Sequence, residues 1–205
     1  MAKQNRVNPE GRLVVVAARG TLMGNRGCLH DDAGNIVRQS ARDAWVICLL
    51  SFKGRQRQLM QPGHYTELFF LDEATALAAG HRPCSECRRE RYVEYQDAWA
   101  QAFGLTKRPT AKDIDLQLKR DRSDRRGSEV SHLNRIPEGV IVQANHTGHF
   151  YLAHHGRLHR WTFEGYGSSL SPADVPGSLT TVTPSCHLRL LQSGYVPALH
   201  PSLDT

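Results

Sequence analysis

Two cysteines three residues apart, Cys84 and Cys87 in Pro-Cys-Ser-Glu-Cys-Arg, stand where a basic helical segment begins. A C-x-x-C turn that opens a helix aims both sulfurs at one point, and the N-terminal end of a helix favours thiolate over thiol. That is half of a tetrahedral zinc site with Zn–S distances of about 2.3 Å. A redox pair normally follows a strand in a thioredoxin-like unit, whereas here a short helix and a Gly-His-Arg-Pro turn come first. Without a metal the pair is simply two buried thiols. For the missing ligands, Cys28 and His30 in Gly-Cys-Leu-His-Asp are the best offer, because a loop is free to carry C-x-H to the turn. Cys48 competes, but it lies within Val-Ile-Cys-Leu-Leu, where a free cysteine ordinarily serves as a small core hydrophobe. Cys186 and His187 are outside candidates.

A second group of reactive types lies in residues 19 to 35, RGTLMGNRGCLHDDAGN, where Gly20, Gly24 and Gly27 surround Asn25 and Arg26. Gly-spaced amides cradle phosphate and an arginine clamps it, yet the spacing matches neither a P-loop nor a dinucleotide fingerprint. If the protein is an enzyme, Asn25, Arg26, His30 and Asp31 are its candidates for oxyanion donor, cation, general base and orienting partner. The alternative is a capped turn.

Arg82, Arg88, Arg89 and Arg91, with Lys53, Arg55 and Arg57 on the preceding hairpin, form a candidate phosphate-gripping surface. Against this stands a solvated face balanced by Glu86 and Glu90. Seven of the 11 histidines fall after residue 136. A nuclease of the HNH type would use such residues around a metal, but no ββα order is visible. In an alternating meander His154, His155 and His159 do not all face one way, so they read as exposed strand residues. Trp161, Phe163 and Tyr166 offer faces for unpaired bases, or else form the core of their own sheet.

The elements that must position these groups follow from periodicity. Apolar runs at residues 12 to 18, 44 to 52 and 65 to 71 read as strands, and the segment from 19 to 35 reads as a loop. Asp72 caps a short helix from Glu73 to Ala79 that Gly80 stops. From Ser85 a helix carries Tyr92, Tyr95, Trp99 and Phe103 on one face and ends at Gly104. Thr110 and Asp113 resemble a capping box before a basic helix. GVIVQA, HFYLAHH and RLHRWTF alternate as an antiparallel meander. A Pro, Gly and Ser-rich loop at 165 to 178 leads to a strand from Leu179 and a helix begun by Thr183 and Pro184.

The run LDEATALAAGHRPCSECRRERY resembles the second half of the Ada-type zinc domain, the methylphosphotriester-DNA repair module, with its strand, short helix ending in Ala-Ala-Gly, and Arg-Pro-Cys-x-x-Cys. With the preceding strand AWVICLLSFKGRQRQL the likeness covers residues 44 to 92. It implies an Ada-like fold, zinc on Cys84 and Cys87, and a DNA-facing surface. Where that module has its first cysteine pair, including the sacrificial methyl acceptor, this chain reads Phe-Lys-Gly-Arg-Gln-Arg-Gln, so methyl transfer is not implied. The remainder of the chain resembles uncharacterised bacterial proteins.

Composition bounds the rest. The net charge of +6 is uneven: residues 1 to 136 carry 23 Lys and Arg against 16 Asp and Glu, the remainder 3 against 4. Such a field favours a polyanion, nucleic acid before membrane. Five cysteines, an odd number, and a first apolar run of only six residues point to a reducing, cytoplasmic setting without a signal peptide. The expected architecture is α+β, with an Ada-like zinc and nucleic-acid-binding module at 1–104, a basic helical linker at 105–136, and a small antiparallel β subdomain at 137–205. The expected function is a zinc-stabilised protein that binds nucleic acid, DNA first. The rivals are a nuclease or a base- or phosphate-repair enzyme using the Gly-Asn-Arg-Gly-Cys-Leu-His-Asp loop, and a non-catalytic interaction module.

Overall fold

Short apolar strands and glycine-rich turns build a mixed α and β molecule with two sheets, seen in a computed structural model that describes residues 2–54, 58–124, 127, 129–130, 136–175 and 177–204. The first sheet contains β1 (Gln4–Val7), β2 (Leu13–Val15), β3 (Leu22–Asn25), β4 (Val46–Cys48), β5 (Leu68–Phe70) and β6 (Arg82–Pro83), in the order β2-β1-β5-β3-β4-β6. The second contains β7 (Ile141–Ala144), β8 (Phe150–His154), β9 (Arg157–Trp161), β10 (Tyr166–Leu170) and β11 (Leu179–Thr181), all antiparallel, in the order β10-β9-β8-β7-β11.

Helix α1 (Glu73–Ala78) is buried along its whole length. Asp72 caps it as expected, accepting from the Thr75 amide at 2.9 Å. Its alanines keep it thin: Ala76 and Leu77 join the larger core, Ala74 and Ala78 the smaller one with Ile141, Leu152 and Trp161. Helix α2 (Arg89–Phe103) buries Tyr92, Tyr95 and Trp99 and ends at Gly104 in the left-handed conformation, φ 64°. Helix α3 (Ala111–Ser123) has the full capping box of Thr110 and Asp113. Helix α4 (Ser185–Gln192) buries Cys186, His187, Leu190 and Leu191.

One core runs through all three expected regions. Phe70, Leu77 and Tyr95 share it with Ile114 and Leu118 of α3 and with Val142, Leu158 and Leu190. Each fully buried Leu or Phe stabilises by about 1.5–3 kcal/mol, so helix α3 is a packed element and not merely a connection. Polar ties cross the same boundary: Trp161 Nε1 donates to Thr75 Oγ1 at 2.9 Å and the Tyr166 hydroxyl to Asp72 Oδ2 at 2.8 Å. Trp161 and Tyr166 are therefore interior side chains and not a platform for bases.

Four strands depart from the sequence reading: β1, β3, β10, and β6, which falls in the Gly-His-Arg-Pro segment read as a turn. β1 is too short and polar to stand out. β3 lies inside the segment read as a loop, because its glycine is a packing requirement: a Cβ on Gly24 would come within 2.4 Å of the Phe70 ring. β10 is Tyr-Gly-Ser-Ser-Leu, weak in β-formers and held by pairing to β9. The histidines also differ. His155 adopts φ 49° in the two-residue turn before Gly156, which brings its ring within 3.9 Å of that of His154. Among the described residues no helix is long and apolar enough to cross a membrane.

Candidate metal centre and cleft

The parallel pairing of β6 with β4 brings the cysteines together. Ile47 lies opposite Pro83, the Arg82 amide donates to the Trp45 carbonyl at 3.1 Å, and the Cys84 amide donates to the Ile47 carbonyl at 2.9 Å. Cys84 thus stands beside Cys48, the last residue of β4. The chain then turns through residues 85 to 88, closed by the Arg88 amide on the Cys84 carbonyl at 3.2 Å, and delivers Cys87 to the same place. The three sulfurs lie within 4.8 Å of one another. A tetrahedral zinc thiolate needs sulfurs about 3.8 Å apart, within reach of side-chain rotation.

The electrostatics favour thiolate at one of the three cysteines. Hydrogen bonds from Cys48 and then Cys87, helped by the backbone amides of Cys87 and Glu86, hold the Cys84 thiol far below its ordinary range. The Glu86 amide lies 3.5 Å from Cys84 Sγ. Cys48 is pushed up by its hydrogen bonds to Cys84 and Cys87 and by burial, so it acts as the donor. Cys87, whose thiolate Cys48 favours, is raised on balance by Cys84 and by burial, and the Leu49 amide points at it. Negative charge thus gathers at Cys84 with its neighbours turned toward it, an arrangement that fits a soft divalent ion.

Cys28 and His30 do not join this group. The Cys28 thiol donates to the His30 carbonyl at 3.5 Å. His30 is buried, with Nδ1 2.6 Å from the Thr66 hydroxyl and Nε2 3.3 Å from the Gln61 carbonyl, so both ring nitrogens are engaged. Cys48, weighed as a core residue, takes the place expected for them; it is buried and a ligand candidate at once, because strand β4 ends there at the wall of a cleft. Cys186 and His187 are core residues of α4.

The proposed reactive loop is likewise structural. Arg26 is fully buried, stacked on Trp45 at 3.8 Å from the ring centroid, with Nε donating to His81 Nε2 at 3.0 Å and Nη1 to the Gly11 carbonyl at 2.9 Å. Asp31 closes its own turn, accepting from the Asn35 amide at 2.8 Å, and does not orient His30. Asn25 Oδ1 accepts from the Gly27 amide at 2.8 Å.

The arginines divide. Arg82 is buried in a two-pronged pair with Asp115, both bonds 2.8 Å. Arg88 and Arg91 converge on the buried Glu73, which Tyr195 and the Ala198 amide also satisfy. The two guanidinium groups hold the Glu73 carboxyl below its usual range against the opposing effect of burial. These three are internal counter-ions, because helices α1 and α3 bury carboxylates that need them. Arg89 remains exposed. Arg55 and Arg57 lie outside the described residues.

All three clustered cysteines line one cleft of about 590 Å³. Its floor follows from register. Met23 pairs with Cys48 and Phe69, and Asn25 pairs with Val46, while Gly24, Ile47 and Leu68 fall between them on the opposite, core-facing side. Met23, Asn25, Val46, Cys48, Glu67 and Phe69 accordingly present one face of β4, β3 and β5 to the cleft. The sequence carried a signal for Glu67 in the alternation of Thr-Glu-Leu-Phe-Phe-Leu, where Glu67 and Phe69 share a face. No protein-family model, no curated protein and no solved structure matches this chain.

Proposed function

We propose that Cys48, Cys84 and Cys87 hold one zinc ion and that the protein is a zinc-dependent nucleic-acid-binding protein, with DNA the expected partner. The observation that carries this reading is the meeting of three sulfurs, from β4 and from the turn before α2, within 4.8 Å. Soft thiolate ligands favour zinc over magnesium or calcium. A metal there ties the end of β4 to the start of α2, and its binding energy becomes folding energy.

Nucleic acid is supported by the net charge of +6 and by exposed cations around the cluster. Arg42 lines the cleft, Lys53 Nζ lies 3.9 Å from Glu86 within the Cys84–Cys87 turn, and Arg89 follows Cys87 by two residues. Because Arg82, Arg88 and Arg91 are internal, the expected grip is small. Elemental mass spectrometry of untagged protein tests the metal, with about one zinc per chain expected. Fluorescence anisotropy with labelled single-stranded and duplex DNA tests the partner. Affinity is expected to fall with salt at a log–log slope of about −2 to −3, the release from three neutralised phosphates. No binding at low salt would remove DNA from the reading.

A second reading rests on the cleft. Zinc held by Cys48, Cys84 and Cys87 would have three protein ligands, and because all three line the cleft its fourth position would be open to a water or ligand there, as in zinc sites that carry out chemistry.

A further inference from the structure

We infer that Glu138, His154 and His155 form a second metal site, at the turned end of β8, for a divalent first-row transition ion such as zinc. The inference stands apart from the cysteine cluster and does not rest on it.

Two turns bring the three side chains together. Residues 137 to 140 make one, closed by the Val140 amide on the Pro137 carbonyl at 3.3 Å with Gly139 at φ 78°, and Glu138 stands at its corner. The Gly139 amide donates to the Ala153 carbonyl and the Ala153 amide to the Val140 carbonyl, both at 2.9 Å, so this corner is stitched to β8 next to His154. The other turn joins His154 to its partner Arg157 on β9, with His155 and Gly156 at φ 49° and 70°. Regular alternation would send His155 to the face opposite His154. The left-handed backbone instead brings its ring to 3.9 Å from that of His154.

One donor atom from each of Glu138, His154 and His155 lies within 4.8 Å of the others. Glu138 Oε2 and His154 Nδ1 are 3.1 Å apart. Two ligands each about 2.1 Å from a common ion stand about 3.0–3.4 Å apart in octahedral or tetrahedral geometry, so this pair already has the spacing of a chelate. Its bland reading is a surface ion pair worth little. That reading leaves unexplained a second imidazole at positive φ, in a turn where Asn-Gly is the favoured pair. Among the described residues the His155 ring makes no hydrogen bond, so its nitrogens are open to an ion. Arg157, opposite His154, has its guanidinium committed to Ser169 of β10, at 2.7 Å to the hydroxyl and 3.1 Å to the carbonyl. His159 follows on the same face of β9, its ring 5.8 Å from that of His154. Two neutral imidazoles and one carboxylate suit zinc, nickel, copper or iron over magnesium or calcium. Glu138 and His155 are exposed and His154 is half-buried, so the ion keeps water in its remaining positions and is held more weakly than on three thiolates.

The full-length chain, dialysed so that only tightly held metal stays, is titrated with micromolar zinc chloride and followed by calorimetry and by the imidazole signals in NMR. A binding event that moves the ring signals of His154 and His155 and leaves those of the buried His30 and His187 in place is expected. His155→Asn keeps the turn, because Asn-Gly is favoured there, and removes one ligand. Losing a group that merely supports a ligand costs about 10–100-fold in metal affinity, so His155→Asn and Glu138→Gln are each expected to weaken this event by about 100-fold or more. Ring signals of His154 and His155 that ignore zinc overturn the inference, as does undiminished affinity in both variants. Failure of zinc to bind the cysteines leaves this outcome untouched, because the two histidine rings report the second site alone.

Discussion

At the residue scale the decisive fact is which donors meet. Cys48 is a ligand candidate because a strand ends at it, and Cys28 is not one because its loop is folded back on Thr66 through His30. Elemental analysis of single variants is expected to show zinc lost from Cys48→Ala and Cys84→Ala and retained in Cys28→Ala. Retention in Cys48→Ala would send the site back to other ligands. Arg82 makes a similar point about charge. Its guanidinium and the Asp115 carboxylate are nearly sealed from water, at 5% and 12% side-chain exposure. Removing one partner leaves the other buried and unpaired, so Asp115→Ala is expected to lose about 3–5 kcal/mol in urea unfolding. A loss under about 1 kcal/mol would mean that the pair behaves as a surface ion pair.

At the element scale β3 is the hinge of the site. It pairs with both β4 and β5 and so sets Cys48, Asn25 and Glu67 on one face. The strand is compatible with the Phe70 ring beneath it only because residue 24 has no side chain. Gly24→Ala is expected to destabilise by about 1–3 kcal/mol through overpacking, measured by urea unfolding of the metal-loaded protein. An unchanged midpoint would show that the ring moves aside. Helices α1, α2 and α3 were legible in the sequence because Asp72, Gly104, Thr110 and Asp113 are local signals acting over one turn. Strands β1, β3, β6 and β10 were not, because each carries glycine, proline or polar residues where propensity would ask for branched ones, and β3 and β6 pair with strands more than 20 residues away.

At the scale of the whole molecule, a buried polar group joins three of the helices. His187 of α4 is fully buried, donating through Nδ1 to the Leu77 carbonyl at 2.9 Å and accepting through Nε2 from the Tyr95 hydroxyl at 2.7 Å. Burial lowers its pKa to about 4. The unfolded chain, with a pKa of about 6.5, binds the proton first, so the contribution of His187 is intact above pH ~6.5 and is lost as pH falls toward about 4. The loss amounts to up to about 3 kcal/mol. Urea unfolding from pH 7 to 4 is expected to show this decline, and His187→Gln is expected to flatten that component. An equal slope in wild type and variant would show that His187 does not carry the decline.

The sequence by itself determined the mixed α and β class, the capped helices, the antiparallel meander, the basic character and the thiol pair at Cys84 and Cys87, because each is written in neighbouring residues or in bulk composition. Only the tertiary structure decided that Cys48 completes the cluster, that Arg82, Arg88 and Arg91 face inward, and that Glu67 and Asn25 share a cleft. Those outcomes depend on strand order and register, which pair residues 21 to 48 positions apart along the chain. They also depend on buried carboxylates that claim arginines a sequence would assign to the surface.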